Sequence, residues 1–472
     1  MILVSAALHA GDPSSKAAGI AADILPPDLA KKLADRTAEP TQSGEITPAF
    51  VVDPSWPKTL PNQWIMGQVG GISVDQNDNI WVLHRPRSLS ATAVGALGVA
   101  GVNSEGKPVD GLGNLRTVAG QNAVCCIPAP SVLKFDANGN LLDSWGGSSD
   151  PGFLESRCRA DQGCVWPGRE HGIFVDHSQF VYISGNGTQG TGRDGNGEVP
   201  WSATHGNDSH VLKFSAEGEF IYQIGYAGLP GPNNEDTNGG PNDTPQPFLA
   251  ADMSVDPKTN RLYIADGYGN SRVLIVNAAS GQYIGHFGAY GQNPVELEPK
   301  DPSSWAEEWR AGNTKPRFFR SPVHCATVSL DGLLYVCDRS NNRIQVFNLQ
   351  EVGKPCLNPD AKAGDCGFVR DIEVAPETIG QTGGSAALSA DKEQSCLFAA
   401  DLWNGMFHII ERPTGKTIHH IGRTGRQVGE FTWLHSLAAD SHGNIYSGEV
   451  ETGQRVQRFV RYGATGCNST GT

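Results

Sequence analysis

The chain has 472 residues, 58 of them Gly and 30 Pro, and its 36 Lys and Arg against 50 Asp and Glu leave a net charge of −14. That charge argues against nucleic acid or an anionic membrane surface as a partner. No apolar run approaches the roughly 20 residues needed to span a bilayer, and the many short apolar runs between turn residues fit an all-β protein.

The first ten residues, MILVSAALHA, read as the tail of a secretory signal peptide ending before Gly11. Residues 11–44 are rich in Ala, Lys and Asp and read as a short helix and linker. One pattern then recurs over 45–465, with 466–472 left as a C-terminal tail. An apolar strand ends in Asp, a polar turn follows, and a second strand carries an aromatic residue (IWVLH, VYISG, LYIAD, LYVCD, LFAAD, IYSGE). A third strand (SVLKFD, HVLKFS, RVLIVN, RIQVFN) and a fourth (LLDSWG, FIYQIG, YIGHFG, HHIG) complete the unit. Four strands in each of six units predict a six-bladed β-propeller. The last unit lacks its fourth strand, and residues 46–52 (ITPAFVV) are placed to supply it and to remove an open sheet edge. Long insertions at 86–130, 185–208, 227–248 and 291–321 all leave second or fourth strands, which places them on one face.

The first strands begin with GGISVD (70–75), HGIFVD (171–176), ADMSVD (251–256), HCATVS (324–329), AALSAD (386–391) and HSLAAD (435–440). The leading residue alternates: Gly, His, Ala, His, Ala, His. Alternate blades of a six-fold ring lie about 120° apart, so His171, His324 and His435 converge on the axis. Three imidazoles with a position left open are a zinc site for water or substrate. Arg85, Tyr268, Arg339 and Trp403 follow second strands and are expected near the same axis. An Arg offers a fork for a carboxylate. A Tyr beside a divalent cation and two Arg is expected to ionise below its usual value of about 10 and to act as a base.

Other residues carry structural readings. His84, His205, His210, His408, His419 and His420 lack the register and read as surface or packing. Asp266, Asn270 and Arg272, and likewise Asp338, Asn342 and Arg343, read as turn stabilisers whose Arg pairs between blades. Trp305, Trp309, Arg317, Phe318, Phe319 and Arg320 form either a substrate anchor or the apolar underside of a loop. Ten Cys, with Cys158–Cys164 and Cys356–Cys366 spaced as local disulfides, point to an oxidising compartment and a secreted or periplasmic protein.

The turns ADGYGNSRV (265–273) and CDRSNNRIQVF (337–347) resemble NHL-repeat propellers, and more narrowly peptidyl-α-hydroxyglycine α-amidating lyase, over roughly residues 50–462. The resemblance implies zinc on His171, His324 and His435, with Tyr268, Arg85 and Arg339 as catalytic residues. It also implies cleavage of the C–N bond of a hemiaminal, or a related carbinol, in a peptide or small-molecule substrate. The products are an amide and glyoxylate, and an upstream oxygenase partner makes the substrate. Glu170, Val323 and Leu434 replace the Pro that precedes each ligand in the lyase, and Trp433 replaces its Met. Gly269 replaces a Cys, and Ser436 replaces an Asp that helps to hold a structural calcium (Ca2+). Two alternatives stand beside this reading. One is a non-catalytic exported propeller that binds a protein or glycan. The other is a metal-dependent propeller hydrolase; lactonases of that kind hold calcium through carboxylates and Asn, whereas imidazole favours zinc.

Overall fold

The computed structural model describes residues 48–90, 93–96, 101–102, 107–109, 123–147, 157–188, 207–227, 246–294, 316–353, 365–378, 380–462 and 466–467. Six four-stranded antiparallel sheets run in sequence order and make the six blades expected from the repeats. Their first strands are Gln68–Val74, Glu170–Val175, Met253–Asp256, Val323–Val328, Thr382–Leu388 and Leu434–Ala439. The second strands are Ile80–Arg85, Val181–Gly185, Arg261–Asp266, Leu333–Asp338, Cys396–Asp401 and Ile445–Glu449. The sixth blade draws its outer strand from the other end of the chain: Ala49–Asp53 pairs antiparallel with Val456–Tyr462, Ala49 opposite Tyr462. An ion pair of 3.0 Å between Arg458 and Asp53, both buried, fastens this closure.

The core lies between blades. Alternating side chains of one sheet face those of the next, so both faces of the inner strands are apolar. Trp81 and Leu83 of blade 1 pack with Ile173, Val175 and Phe214 of blade 2. Tyr263 and Ile275 of blade 3 pack with Leu334 and Phe347 of blade 4. Phe319 belongs to that second cluster, so this part of the aromatic loop segment is core; Trp305 and Trp309 lie outside the described residues.

A carboxylate ends the second strand in blades 3 to 6: Asp266, Asp338, Asp401 and Glu449. Asp266 accepts from Asn270 at 2.8 Å and from the Arg272 guanidinium at 2.9 Å. Asp338 does the same with Asn341 and Arg343. Two details differ from the sequence reading. The Arg pairs within its own hairpin, directly opposite the carboxylate across the strands, rather than between blades. In blade 4 the amide comes from Asn341, because Asn342 takes the left-handed conformation (φ 52°) and turns its side chain to the Thr378 carbonyl. Arg343 and Asp338 are both buried, so Asp338→Ala leaves the guanidinium only its more distant counter-charge, Asp371 at 3.9 Å. We expect a loss of about 3 kcal/mol in urea unfolding; a change below about 1 kcal/mol would show that Asp371, Tyr290 and the loop carbonyls suffice to hold Arg343.

Disulfides join Cys158 to Cys164, as the spacing predicted, and also Cys125 to Cys126, Cys325 to Cys337 and Cys396 to Cys467. Cys325 faces Cys337 across the first two strands of blade 4, while Cys396–Cys467 ties the C-terminal segment to blade 5. Cys356 of the other predicted pair lies outside the described residues. Much of the four insertions does too, although the strand ends that launch them share the end of the propeller that carries Arg85 and Gly185.

Candidate metal centre

The register of the first strands decides what points inward. In blades 1, 2, 4, 5 and 6 the pairing with the second strand shifts between Val69 and Gly71, Glu170 and Ile173, Val323 and Cys325, Thr382 and Ala386, and Leu434 and Ser436. Such irregularities re-aim a side chain. They fall on His171, His324 and His435 in the even blades. The three ring centroids form a nearly equilateral triangle with sides of 4.6, 4.8 and 4.8 Å. One ring nitrogen from each lies within 4.8 Å of the others, and all three side chains are buried.

The small residues between them hold the ligand set in place. Nδ1 of His171 bonds the carbonyl of Ala251 at 2.9 Å, Nδ1 of His435 that of Gly70 at 2.8 Å, and Nδ1 of His324 that of Gly384. A carbonyl only accepts, so each Nδ1 carries the proton and each Nε2 keeps a lone pair. The blade 5 member is therefore Gly384 and not Ala386. The turn confirms this: the amide of Ser389 closes on the Cys396 carbonyl as the amide of Ser329 closes on Leu333. A side chain at 384 would meet Leu402 at 2.1 Å and Arg339 at 3.5 Å, so only Gly lets that carbonyl reach His324.

Burial holds all three imidazoles well below the usual histidine value. For His171 and His324 the neighbouring imidazoles and guanidiniums add to this, and for His435 the guanidiniums of Arg85, Arg339 and Arg169 do. The rings are neutral at pH 7, the state that ligates a metal. Three neutral imidazole nitrogens of fixed tautomer, with no carboxylate in the cluster, fit zinc far better than calcium.

Tyr268 stands against this centre. Its hydroxyl lies 3.0 Å from Nε2 of His171 and 3.1 Å from Nε2 of His324, and Arg339 Nη1 donates to the same oxygen at 3.0 Å. The turn reaches so far inward because of Gly267, where an added Cβ would meet the backbone of Val323 at 2.1 Å. Gly267→Ala is expected to push Tyr268 away from His324, and a crystal structure that kept the 3.1 Å contact would refute this role for the glycine.

His84 occupies the position at which blades 3 to 6 place their turn carboxylate, and Arg85 follows it as Arg339 follows Asp338. Arg85 Nε donates to the Glu170 carbonyl at 2.6 Å and Nη1 to Gln68 at 2.8 Å, which holds the buried guanidinium beside the imidazoles. Gln68 and Asp208 escaped the sequence reading, and the Glu170 carbonyl gave no signal there as a partner of Arg85. Asp208 accepts from the amides of Gly168, Arg169 and Gly187 and so shapes the segment entering His171. It does the work of the missing carboxylate at Gly185, and burial pushes its pKa up to about 6 against those bonds. Trp403, expected near the axis, is 53% exposed and packs on Trp433.

His84 and His210 are buried packing residues, each donating from Nε2 to a carbonyl, of Pro130 and Val165. His205 lies outside the described residues. Burial lowers the pKa of both to about 4. A base whose folded value is depressed contributes stability above its unfolded value of about 6.5, lost as pH falls toward the folded one. The metal-free protein is therefore expected to lose stability between about pH 6.5 and pH 4, where each histidine carries roughly 3 kcal/mol. Unfolding midpoints that stay flat over that window would contradict the burial of these two rings.

Comparison with known proteins adds three findings. The NHL repeat model matches residues 323–347, the first three strands of blade 4. Peptidyl-glycine alpha-amidating monooxygenase B of Xenopus laevis is 32% identical over 157 residues, 33% of this chain and 14% of that protein. The peptidyl-glycine alpha-amidating monooxygenase of Mus musculus is 25% identical over 213 residues, 43% of this chain and 17% of that protein. The chain thus matches less than a fifth of the length of these relatives. Among solved structures, the WD40 beta propeller domain of Doa1 covers 88% of this chain and 97% of its own at 11% identity and a TM-score of 0.39. The blade count rests on the sheet order itself. The chain is a six-bladed β-propeller with an NHL repeat in its fourth blade, and part of its length is similar to the peptidylglycine α-amidating monooxygenases.

Proposed function

We propose that the protein is a zinc-dependent lyase that cleaves the C–N bond of an α-hydroxyglycine-type hemiaminal. The observation that carries the reading is the Tyr268 hydroxyl, set against two of the three imidazole nitrogens and against Arg339. His171, His324 and His435 would hold the ion through Nε2. A zinc ion there supplies Lewis acidity to the substrate hydroxyl.

The protein's own residues do the rest. Tyr268 takes the hydroxyl proton at its phenolic oxygen, with the Arg339 cation lying against the atom that carries the negative charge. The C–O bond becomes C=O as the C–N bond breaks, and the proton returns to the departing amide nitrogen. Atoms balance: the hemiaminal gives an amide and glyoxylate. Arg85, anchored by Gln68 and the Glu170 carbonyl, and Arg339 hold the substrate carboxylate. Burial of the site strengthens each of these interactions by excluding water. The hydroxylated substrate must come from an oxygenase, and the four disulfides among the described residues suit an exported protein.

The test is glyoxylate release from an α-hydroxyglycine peptide by the zinc-loaded protein. Turnover that stops with a chelator and returns with zinc supports the reading. A zinc-loaded protein that releases none contradicts the hemiaminal substrate while leaving the three-histidine centre in place.

A further inference from the structure

We infer that Trp403 and Trp433 form an aromatic wall at the mouth of the histidine centre that receives an aromatic side chain of the substrate, on the acyl residue next to the cleaved C–N bond. The inference rests on the lyase reading for the identity of the substrate, and goes beyond it in naming a specificity element.

Trp403 stands two residues past Asp401, the carboxylate that ends the second strand of blade 5. Tyr268 stands two residues past Asp266, the equivalent carboxylate of blade 3. The two side chains thus leave equivalent turns on the same face of the propeller. Tyr268 reaches inward between the histidines of blades 2 and 4. Trp403 belongs to blade 5, between the blades that carry His324 and His435, and is exposed. Trp433 is two residues before His435, and its indole meets that of Trp403 edge to face, with centroids 5.3 Å apart and planes at 63°. The segments that carry them are tied down: the Leu402 amide bonds the Gln381 carbonyl, and the Val450 amide bonds the Trp433 carbonyl. A side chain at Gly380 would strike the Trp403 ring at 2.7 Å, so the chain leaves that indole its seat.

Trp403 nevertheless keeps 53% of its surface in water, while its partner is half-buried against the core between blades 5 and 6. An indole held from one side and open on the other is poised to cover an apolar ring. The opposite side of the mouth has a different character. Arg169 stands two residues before His171, just as Trp433 stands two before His435, and Arg85 of blade 1 is fastened to the same blade 2 segment through the Glu170 carbonyl at 2.6 Å. A substrate with its carboxylate on the arginine side thereby turns its acyl part toward the two indoles.

The test uses the full-length, zinc-loaded protein and two unreactive peptides that lack the hydroxyl, N-acetyl-Phe-Gly and N-acetyl-Ala-Gly, titrated by calorimetry. The wild type should bind the Phe peptide about tenfold more tightly, which corresponds to ~1.4 kcal/mol. Trp403→Ala should bring the two affinities within about twofold of each other, and Trp403→Phe should keep most of the preference. Its exposure makes Trp403→Ala a mild change for folding, which circular dichroism checks. A wild type that binds neither peptide or both equally overturns the wall, and so does a preference unchanged in Trp403→Ala. Failure of the lyase reading looks different: a Phe preference in binding, lost in Trp403→Ala, with no glyoxylate released from N-acetyl-Phe-α-hydroxyglycine.

Discussion

A His324→Ala variant should lose more than about 100-fold in zinc affinity and remain a folded propeller. The ring is one of three that converge, and Nδ1 of each is already spent on a neighbouring carbonyl, so no other atom of the set replaces its Nε2. Loss of an outer-shell partner alone costs 10- to 100-fold at typical metal sites, and loss of a ligand costs more. The fold should survive because Ala251 already occupies this register in blade 3. The freed Gly384 carbonyl is the main penalty, on the order of 1–3 kcal/mol. Equilibrium dialysis against zinc gives the affinity, and thermal unfolding of the metal-free protein separates it from stability. Unchanged zinc content in the variant would remove His324 from the site.

Tyr268→Phe should lower kcat by about 10²–10⁴, the usual worth of a positioned proton acceptor, with zinc content unchanged. The substitution deletes one oxygen and leaves the ring packed against blades 3 and 4. It also releases Arg339 Nη1 from the phenol. Arg85→Ala and Arg339→Ala should raise KM as well as lower kcat, since a carboxylate clamp acts in the ground state too. That split separates proton transfer from binding. A Tyr268→Phe variant as active as wild type would hand the proton to another acceptor and leave Tyr268 a packing residue.

The six-bladed fold was legible because every blade repeats the same apolar strand pattern, and blades 3 to 6 repeat a carboxylate at the end of the second strand. The juxtaposition of His171, His324 and His435 followed from one register position, with no need for distances. The reading slipped in blade 5, where the turn from Ser389 to Cys396 is three residues longer than the turn from Asp75 to Asn79. Asp391 sits within that longer turn and resembles the usual strand-end Asp, which displaced the small residue from Gly384 to Ala386. The carbonyl clamp on each Nδ1 was hidden because backbone acceptors leave no mark on sequence. Arg85 did carry a signal, a cation at the end of the second strand, at the register of Arg339. The turn of Trp403 matches that of Tyr268, but the packing of its indole on Trp433 carries no mark in the sequence. Cys396–Cys467 spans 71 residues, and the packing of blade 5 against blade 6 brings its halves together.

The most direct test of the central claim is metal content and coordination in protein purified without chelators. Elemental analysis with X-ray absorption at the zinc edge should find about one zinc per chain with three histidine nitrogens at about 2.0–2.1 Å. Zinc well below one per chain after incubation with the metal, or a first shell of oxygen or sulfur ligands instead of imidazoles, would contradict it.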